Sequence, residues 1–251
     1  YKLNSHHQFV IGFAIGNEQA DISYLNTASQ AVDSLQTRRG NPYLDNPKIH
    51  DYFFNYRAQI NSLGIQFNAT YTKYLHNISY IYSVEDGRLV SSYQSDDSYH
   101  KLRLEGLCSY RISDNLRANT TLRYEHMNVP QHSQLKEDNF FASIDLNCFI
   151  GPFTVNAYAK TTERKLDQTT LAFVKNPASY GLSVRYNGKN WMAEAGAENP
   201  FTRHLHYREY ADYGIYQYSQ TRTSRIYQQT GYIKLAYTFD FGKKVSKDSN
   251  Y

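Results

Sequence analysis

The chain has 251 residues, of which 41% are hydrophobic and 20% charged, a balance that excludes an intrinsically disordered protein. The formal net charge is only +4, and basic and acidic residues alternate within the same segments, so we expect no nucleic-acid partner. The mean hydropathy of -0.67, without any apolar run near the roughly 18 residues of a membrane helix, excludes a helical membrane protein.

Apolar and polar residues alternate with a period of two along most of the chain, which predicts antiparallel strands. The clearest case is 142–150, where Ala142, Ile144 and Leu146 are separated by polar residues. Several of these segments are longer than a strand of a soluble sheet, which usually has about five or six residues. The predicted strands lie at about 7–15, 49–61, 65–83, 99–112, 116–128, 138–150, 153–165, 178–187, 190–198 and 226–242.

The connections between these strands alternate between short and long, which predicts an up-and-down topology. Short connections of tight-turn composition lie at 62–64, 113–115, 151–152 and 187–190. Long connections are expected at about 16–48, 84–98, 130–137, 166–178 and 199–225. Within them, 28–36 could form a short helical turn, and Asp86-Gly87 could close a small hairpin.

Charged residues recur in the middle of the predicted strands, and several of them lie on the polar face. Glu105, Glu125 and Asp145 each share that face with lysine or arginine, which favours a network of ion pairs along a wet lumen. We therefore predict an all-β, antiparallel, up-and-down transmembrane barrel with its apolar side facing lipid. The alternatives are a soluble β-sandwich and a lipocalin-like barrel, whose strands show the same alternation with the apolar face inside.

The loop at 199–225 contains the most site-like cluster of side chains. Alternate residues of an extended segment would place His204 and His206 on one side, but two imidazoles without a third ligand do not predict a metal site. We predict no catalytic residues and no cofactor, because no phosphate-binding loop, nucleophile elbow or zinc-protease motif occurs. The residues predicted to contact a ligand are His204, His206, Tyr207, Arg208 and Tyr210.

Two stretches resemble the barrel of TonB-dependent receptors, in the branch of outer-membrane β-barrel family proteins. The first is the Gly-Asn-Pro segment at 40–52, which is similar to the stretch leading from a long extracellular loop into a barrel strand. The second is the terminal region, where Asn190-Trp191 opens a strand and the alternating aromatic and aliphatic residues of 232–244 end the barrel. A terminal strand of this kind looks like the signal for the barrel-assembly machinery, here Tyr237, Phe239 and Phe241.

The resemblance implies a protein of the Gram-negative cell outer membrane that takes up a scarce nutrient such as a metal chelate, glycan or peptide. It implies contact with outer-membrane lipid, a 22-stranded parent barrel, and an energy-transducing TonB complex reached through a plug domain that this chain lacks. The chain is then the C-terminal part of a barrel, at 1–242, with a short periplasmic tail at 243–251. The alternatives are a complete small barrel acting as adhesin or structural protein, and a secreted soluble β-protein that binds ligands.

Overall fold

The computed structural model describes residues 2–4, 6–223 and 229–239, with side chains from residue 6 onward. Within these residues, a long antiparallel meander forms the main sheet, in which each strand pairs with the next one along its path. Its strands are β1 (Lys2–Asn4), β2 (His7–Asn17), β5 (Lys48–Ile60), β6 (Leu63–Glu85), β7 (Arg88–Ser113), β8 (Leu116–Val129), β9 (His132–Ile150), β10 (Phe153–Lys160), β13 (Ser179–Asn187), β14 (Trp191–Glu198) and β17 (Thr230–Tyr237).

The remaining elements lie in the long connections. Two short strands pair with each other, and the second of them also pairs in parallel with β7. Four others form a separate sheet in the order β11-β12-β15-β16. These elements are α1 (Ile22–Leu25), β3 (Gln30–Ala31), β4 (Gln36–Arg38), β11 (Glu163–Leu166), β12 (Phe173–Asn176), β15 (His206–Asp212) and β16 (Gln217–Thr223).

Each of the ten predicted strands has a counterpart in the main sheet, and the turns between them explain their order. The strand predicted at 153–165 was too long, because it ends at Lys160 and residues 163–166 belong to the smaller sheet. Of the strand predicted at 226–242, the structure shows 230–237 as strand, and its ends lie outside the described residues. The backbone at Asn61 and Gly151 has positive φ values of 51° and 56°, as tight hairpin turns require. These turns lie at one end of the strands, which we call the turn end. The long connections lie at the opposite end of the strands, which we call the loop end.

Two predicted long loops were wrong, because they are strands. Residues 84–98 continue β6 and β7, which meet at Asp86 and Gly87 with φ values of 49° and 73°. This confirms the small hairpin, since consecutive positive φ angles are the mark of a type I′ turn. Residues 132–137 likewise belong to β9. The residues of both stretches are largely polar. Polar composition alone does not distinguish a strand from a loop.

The helical turn expected at 28–36 was also wrong in its position. The described helix is Ile22–Leu25, where the Asp21 carboxylate accepts a hydrogen bond of 2.8 Å from the Ser23 backbone N–H. Residues 30–31 and 36–38 are instead short strands. The start of the turn is decided by the aspartate at the helix N-cap, whose side chain accepts a hydrogen bond from a backbone N–H of the first turn.

The two faces of the main sheet differ in what covers them. Large apolar side chains on one face are open, with Ile11 78% exposed, Phe13 71% and Ile233 78%. The other face holds carboxylates that neighbouring side chains bury, among them Glu125 at 2%. This is the reverse of a soluble sheet, whose apolar face is covered, and it matches the predicted arrangement with lipid outside.

A hydrophobic core lies at the loop end, where the smaller sheet packs against β7, β8 and β9. The Tyr99 hydroxyl donates a hydrogen bond of 2.7 Å to the Leu166 carbonyl, which fixes β11 over the main sheet. The core thus gives the long connections a defined structure. Its buried residues are Tyr99, Met127, Val129, Leu135, Leu166 and Leu171.

Within the described part of the chain, no helix has the length and apolarity needed to span a membrane. The main sheet is open, since β1 pairs with β2 and β17 pairs with β14, and the described strands show no pairing between β1 and β17.

Candidate functional site on the polar face and at the loop end

A cluster of charged side chains lies on the polar face, centred on Arg123. The register places Arg123 of β8 directly opposite Glu105 of β7, and their charged atoms are 3.9 Å apart. The Arg123 Nε lies 3.4 Å from the nearer Glu125 oxygen, and its guanidinium also pairs with Glu163 of β11. One guanidinium therefore joins three carboxylates. We call these four residues the Arg123 cluster.

Further cations surround this cluster and balance its charge. Lys101 lies 3.2 Å from Glu125, and Arg103 lies 2.5 Å from Glu105. The predicted ion-pair network is confirmed for Glu105 and Glu125. It was wrong for Asp145, which accepts hydrogen bonds from the amides of Asn147 and Asn156 instead.

A cavity of about 580 Å³ opens beside the Arg123 cluster. The Arg123 guanidinium lies 4.5 Å from the centre of the Phe141 ring, so one wall combines a cation with an aromatic face. Charges of both signs and ring faces would allow the cavity to hold a polar ligand. Its lining includes Arg123, Phe141, Tyr158, Lys160, Glu163, Glu198 and Tyr207.

A second polar cluster braces the last strands of the main sheet. The Glu194 side chain is 4% exposed and accepts hydrogen bonds of 2.8 Å from Tyr232 and 2.8 Å from Arg185. Lys234 lies 3.4 Å from the same carboxylate. Since these residues come from β13, β14 and β17, the cluster ties three strands together on the polar face.

Of the five predicted ligand-contact residues, Tyr207 and Arg208 line one cavity of about 500 Å³ beside β15 and β16. Tyr207 is half-buried and lines the polar-face cavity. The side chains of His206, Arg208 and Tyr210 are exposed and occupy alternate positions of β15. They share one face of the strand, because successive residues point to opposite faces. The Tyr210 ring packs on Phe173 at 6.3 Å. Their contact with a ligand stays a prediction.

The two histidines expected on one side of this segment are adjacent. The rings of His204 and His206 are stacked with centres 6.1 Å apart, and the Nδ1 of His206 lies 3.2 Å from the Thr223 hydroxyl. Among the residues that the structure describes, no three histidine, cysteine or carboxylate side chains are placed so that they could hold a metal ion.

The Gly-Asn-Pro segment fixes the first long connection against β7. The backbone N–H groups of Gly40 and Asn41 donate hydrogen bonds of 2.7 Å each to the carbonyls of Asn26 and Tyr24, and the Asn41 side chain donates one of 3.0 Å to the Tyr93 carbonyl. A β-carbon at Gly40 would lie 2.4 Å from the Tyr24 oxygen. Glycine is therefore required by this close approach.

Substituting Gly40 by alanine is expected to loosen the 18–47 connection, because the new methyl group can be accommodated only by a backbone shift. Overpacking of this kind costs about 1–3 kcal/mol, so trypsin should cleave beside Arg38 and Arg39 on the order of tenfold faster in the intact protein. The matched control is Gly16→Ala, where a β-carbon meets nothing within 4 Å. Equal cleavage rates for the two variants would show that the close approach does not hold this connection.

The predicted assembly signal lies only partly within the described residues. Tyr237 ends β17, opposite Trp191, and its ring meets Phe239 edge-on at 4.7 Å. Both side chains are largely exposed, at 57% and 67%. Phe241 and the predicted tail at 243–251 lie outside the described residues, and the role of the three aromatic residues stays a prediction.

Sequence reasoning missed a cluster of tyrosines at the loop end. Tyr82 of the extended β6–β7 hairpin packs against Tyr213 and Tyr216 of the β15–β16 turn, with ring centres 4.4 and 5.0 Å apart. Tyr93 continues the cluster, stacking on Tyr24 at 4.3 Å. The only signal was the high tyrosine content, 25 residues, together with the tyrosine-rich stretch after 207.

Comparison with known proteins gives a family and several similar structures. The family model described as "Outer membrane protein beta-barrel family" matches residues 1–237. No curated protein matches the chain. The copper transporter OprC has a similar structure, with a TM-score of 0.64 and 13% identity over 82% of this chain and 33% of that one.

The ferric enterobactin receptor PfeA of Pseudomonas aeruginosa, as a Q482A mutant in complex with enterobactin, is also similar. Its TM-score is 0.59, with 14% identity over 81% of this chain and 34% of that one. At such identity the likeness concerns the fold, and the chain spans about a third of the length of either structure.

Proposed function

The chain belongs to the outer membrane protein beta-barrel family, and from this premise we propose that it forms part of the wall of a TonB-dependent receptor. It is located in the Gram-negative outer membrane. The proposed activity is energised uptake of a nutrient, which is a metal chelate, a glycan or a peptide. The proposed partners are lipid, the barrel-assembly machinery, and a TonB complex acting through a plug domain outside this chain.

The observation that carries this proposal is the inverted polarity of the main sheet. An apolar face with Ile11 and Ile233 78% exposed suits contact with lipid. The opposite face, with the Arg123 cluster and its cavity, suits a wet lumen through which a polar nutrient passes. The smaller sheet and the tyrosines at the loop end would then lie on the extracellular side, where the long loops of such barrels are found.

The open sheet supports the proposal that the chain is part of a larger barrel. Lipid offers no hydrogen-bond partners to a strand edge. Among the described strands, β1 and β17 each pair with one neighbour only, which supports further strands that would close the wall. The similar structures bear names of a copper transporter and a ferric enterobactin receptor, which supports uptake as the class of activity. Neither name identifies the nutrient of this chain, and no enzymatic role is proposed.

Uptake by cells tests this function directly. A strain that lacks the intact gene would be compared with the same strain complemented with it, using labelled copper(II), an iron(III) tris-catecholate, a maltooligosaccharide and an oligopeptide as probes. We expect gene-dependent accumulation of one probe class, abolished by a protonophore, because the transport is energised. Accumulation that is independent of the gene or insensitive to the protonophore would reject the proposal.

A further inference from the structure

A cleft of about 680 Å³ lies at the loop end, separate from the polar-face cavity. It is bounded by the β6–β7 hairpin, the start of β9, the connection around Leu171 and the turn between β15 and β16. We call it the tyrosine cleft. The lining residues used below are Tyr80, Tyr82, Gln94, Asp97, His132 and Tyr213.

Aromatic rings held in fixed positions form one side of the tyrosine cleft. Tyr82 packs against both Tyr213 and Tyr216, and the ring of Tyr80 meets Tyr82 edge-on at 6.4 Å. The Tyr213 hydroxyl donates a hydrogen bond to the Thr170 carbonyl. Burial raises the pKa of Tyr82 and of Tyr213, so both stay neutral and keep their hydroxyl protons. The cleft therefore offers pre-positioned ring faces with neutral hydroxyl groups at their edges.

Polar groups fixed by a buried carboxylate form another side. The Asp97 side chain is 8% exposed, and its Oδ2 lies 2.9 Å from the Gln94 amide nitrogen and 3.0 Å from the His132 Nε2. The irregular register between β6 and β7 places Asp97 opposite Asn77. Carboxylate, amide and imidazole groups held in this way can accept and donate hydrogen bonds to several hydroxyl groups of one ligand.

The charges around the tyrosine cleft select against anions. Its described lining includes the carboxylates of Asp97 and Asp212 but no lysine or arginine. Arg38 stacks on Tyr80 at 5.6 Å but is not among the lining residues. An anionic metal chelate would meet these carboxylates in a lining that contains no lysine or arginine, whereas a neutral ligand would meet no such repulsion.

We propose that the tyrosine cleft binds a neutral, hydroxyl-rich ring compound, and that the chemical class of this ligand is a saccharide. The apolar C–H face of a sugar ring would pack on Tyr82 and Tyr80, and its hydroxyl groups would bond to Asp97, Gln94 and His132. This inference rests on the proposed uptake function, for which it specifies the nutrient class and the extracellular capture site.

Calorimetric titration of the intact, purified protein with neutral oligosaccharides tests this inference. The probes are maltoheptaose, cellohexaose, mannohexaose and a fructan oligomer, with an iron(III) tris-catecholate as the anionic probe. We expect one oligosaccharide to bind and the catecholate not to bind. Tyr82→Ala should weaken that binding at least about tenfold, and Tyr82→Phe, which keeps the ring, by no more than about threefold.

A second variant and a control separate binding from folding. Asp97→Asn should weaken saccharide binding while the protein keeps its heat-modifiable mobility on gels. Tyr43→Ala, at a tyrosine that is 89% exposed in the first long connection, should bind as the parent protein does. Absence of binding by all four oligosaccharides, or binding unaffected by Tyr82→Ala, would overturn the inference. Energised uptake of another probe class, unchanged by Tyr82→Ala, would leave the proposed function standing while this inference fails.

Discussion

Replacing Arg123 with methionine is expected to lower the free energy of unfolding of the intact protein by about 3–5 kcal/mol, the usual cost of breaking a buried ion pair from one side. Methionine keeps much of the side-chain volume but removes the guanidinium that joins Glu105, Glu125 and Glu163. Glu125 would suffer most, because it is 2% exposed and keeps only Lys101 as a charged neighbour. Urea denaturation followed by tryptophan fluorescence in detergent would measure the change.

The matched control is Arg39→Met, which removes an arginine from an exposed pair. Arg39 and Glu85 are 44% and 41% exposed, and a pair in that setting contributes only about 0–1 kcal/mol. Similar losses for the two variants would show that the Arg123 cluster stabilises the protein no more than a surface pair does. A double variant, Arg123→Met with Glu125→Gln, should recover part of the loss, because it removes the stranded charge.

Introducing arginine at Ile144 is expected to prevent or severely weaken insertion into the outer membrane. Ile144 is 43% exposed on the apolar face of β9, well inside the strand that ends at the Gly151 turn. An arginine facing lipid near the bilayer midplane costs about 2–4 kcal/mol. The measurement is the amount of folded, heat-modifiable protein in the outer-membrane fraction.

The neighbouring residue provides the control for this substitution. Ser143 is half-buried and lies on the opposite face of the same strand, where Asp145 could accept a bond from a new guanidinium. Ser143→Arg should therefore reach the membrane at nearly the parent level. If Ser143→Arg were the damaging variant and Ile144→Arg the tolerated one, the two faces would be assigned the wrong way round.

Local sequence signals were sufficient for the strands of the main sheet. The alternation from Ala142 to Ile150 fixes which residues share a face, because side chains of a strand have a period of two. The Asp86-Gly87 pair predicted the turn correctly, because both residue types accept the positive φ angles that the turn requires. The prediction went wrong where the polar residues of 84–98 and 132–137 continue as strand, since polar composition is common to loops and to strands that extend beyond the membrane.

The candidate sites could be predicted only in part. Glu105 and Glu125 were expected to be paired, because each shares a face with basic residues across a predictable register. The third carboxylate, Glu163, comes from a connection that folds back over the sheet, and no local pattern indicates that return. The loop histidines were placed on one side correctly, as their stacked rings show, while the alternation of β15 puts Tyr207 on the face opposite His206.

The sequence by itself determined the strands, their order and the chemical difference between the two faces, because these depend on periodicity and turn composition over short stretches. Only the tertiary structure decided which long connections become ordered and what they bring together. Tyr82 and Tyr213 come from distant hairpins, and Leu166 closes over Tyr99 from a third connection. Such contacts arise from packing between segments that are far apart in the chain. The periodicity of neither segment indicates them.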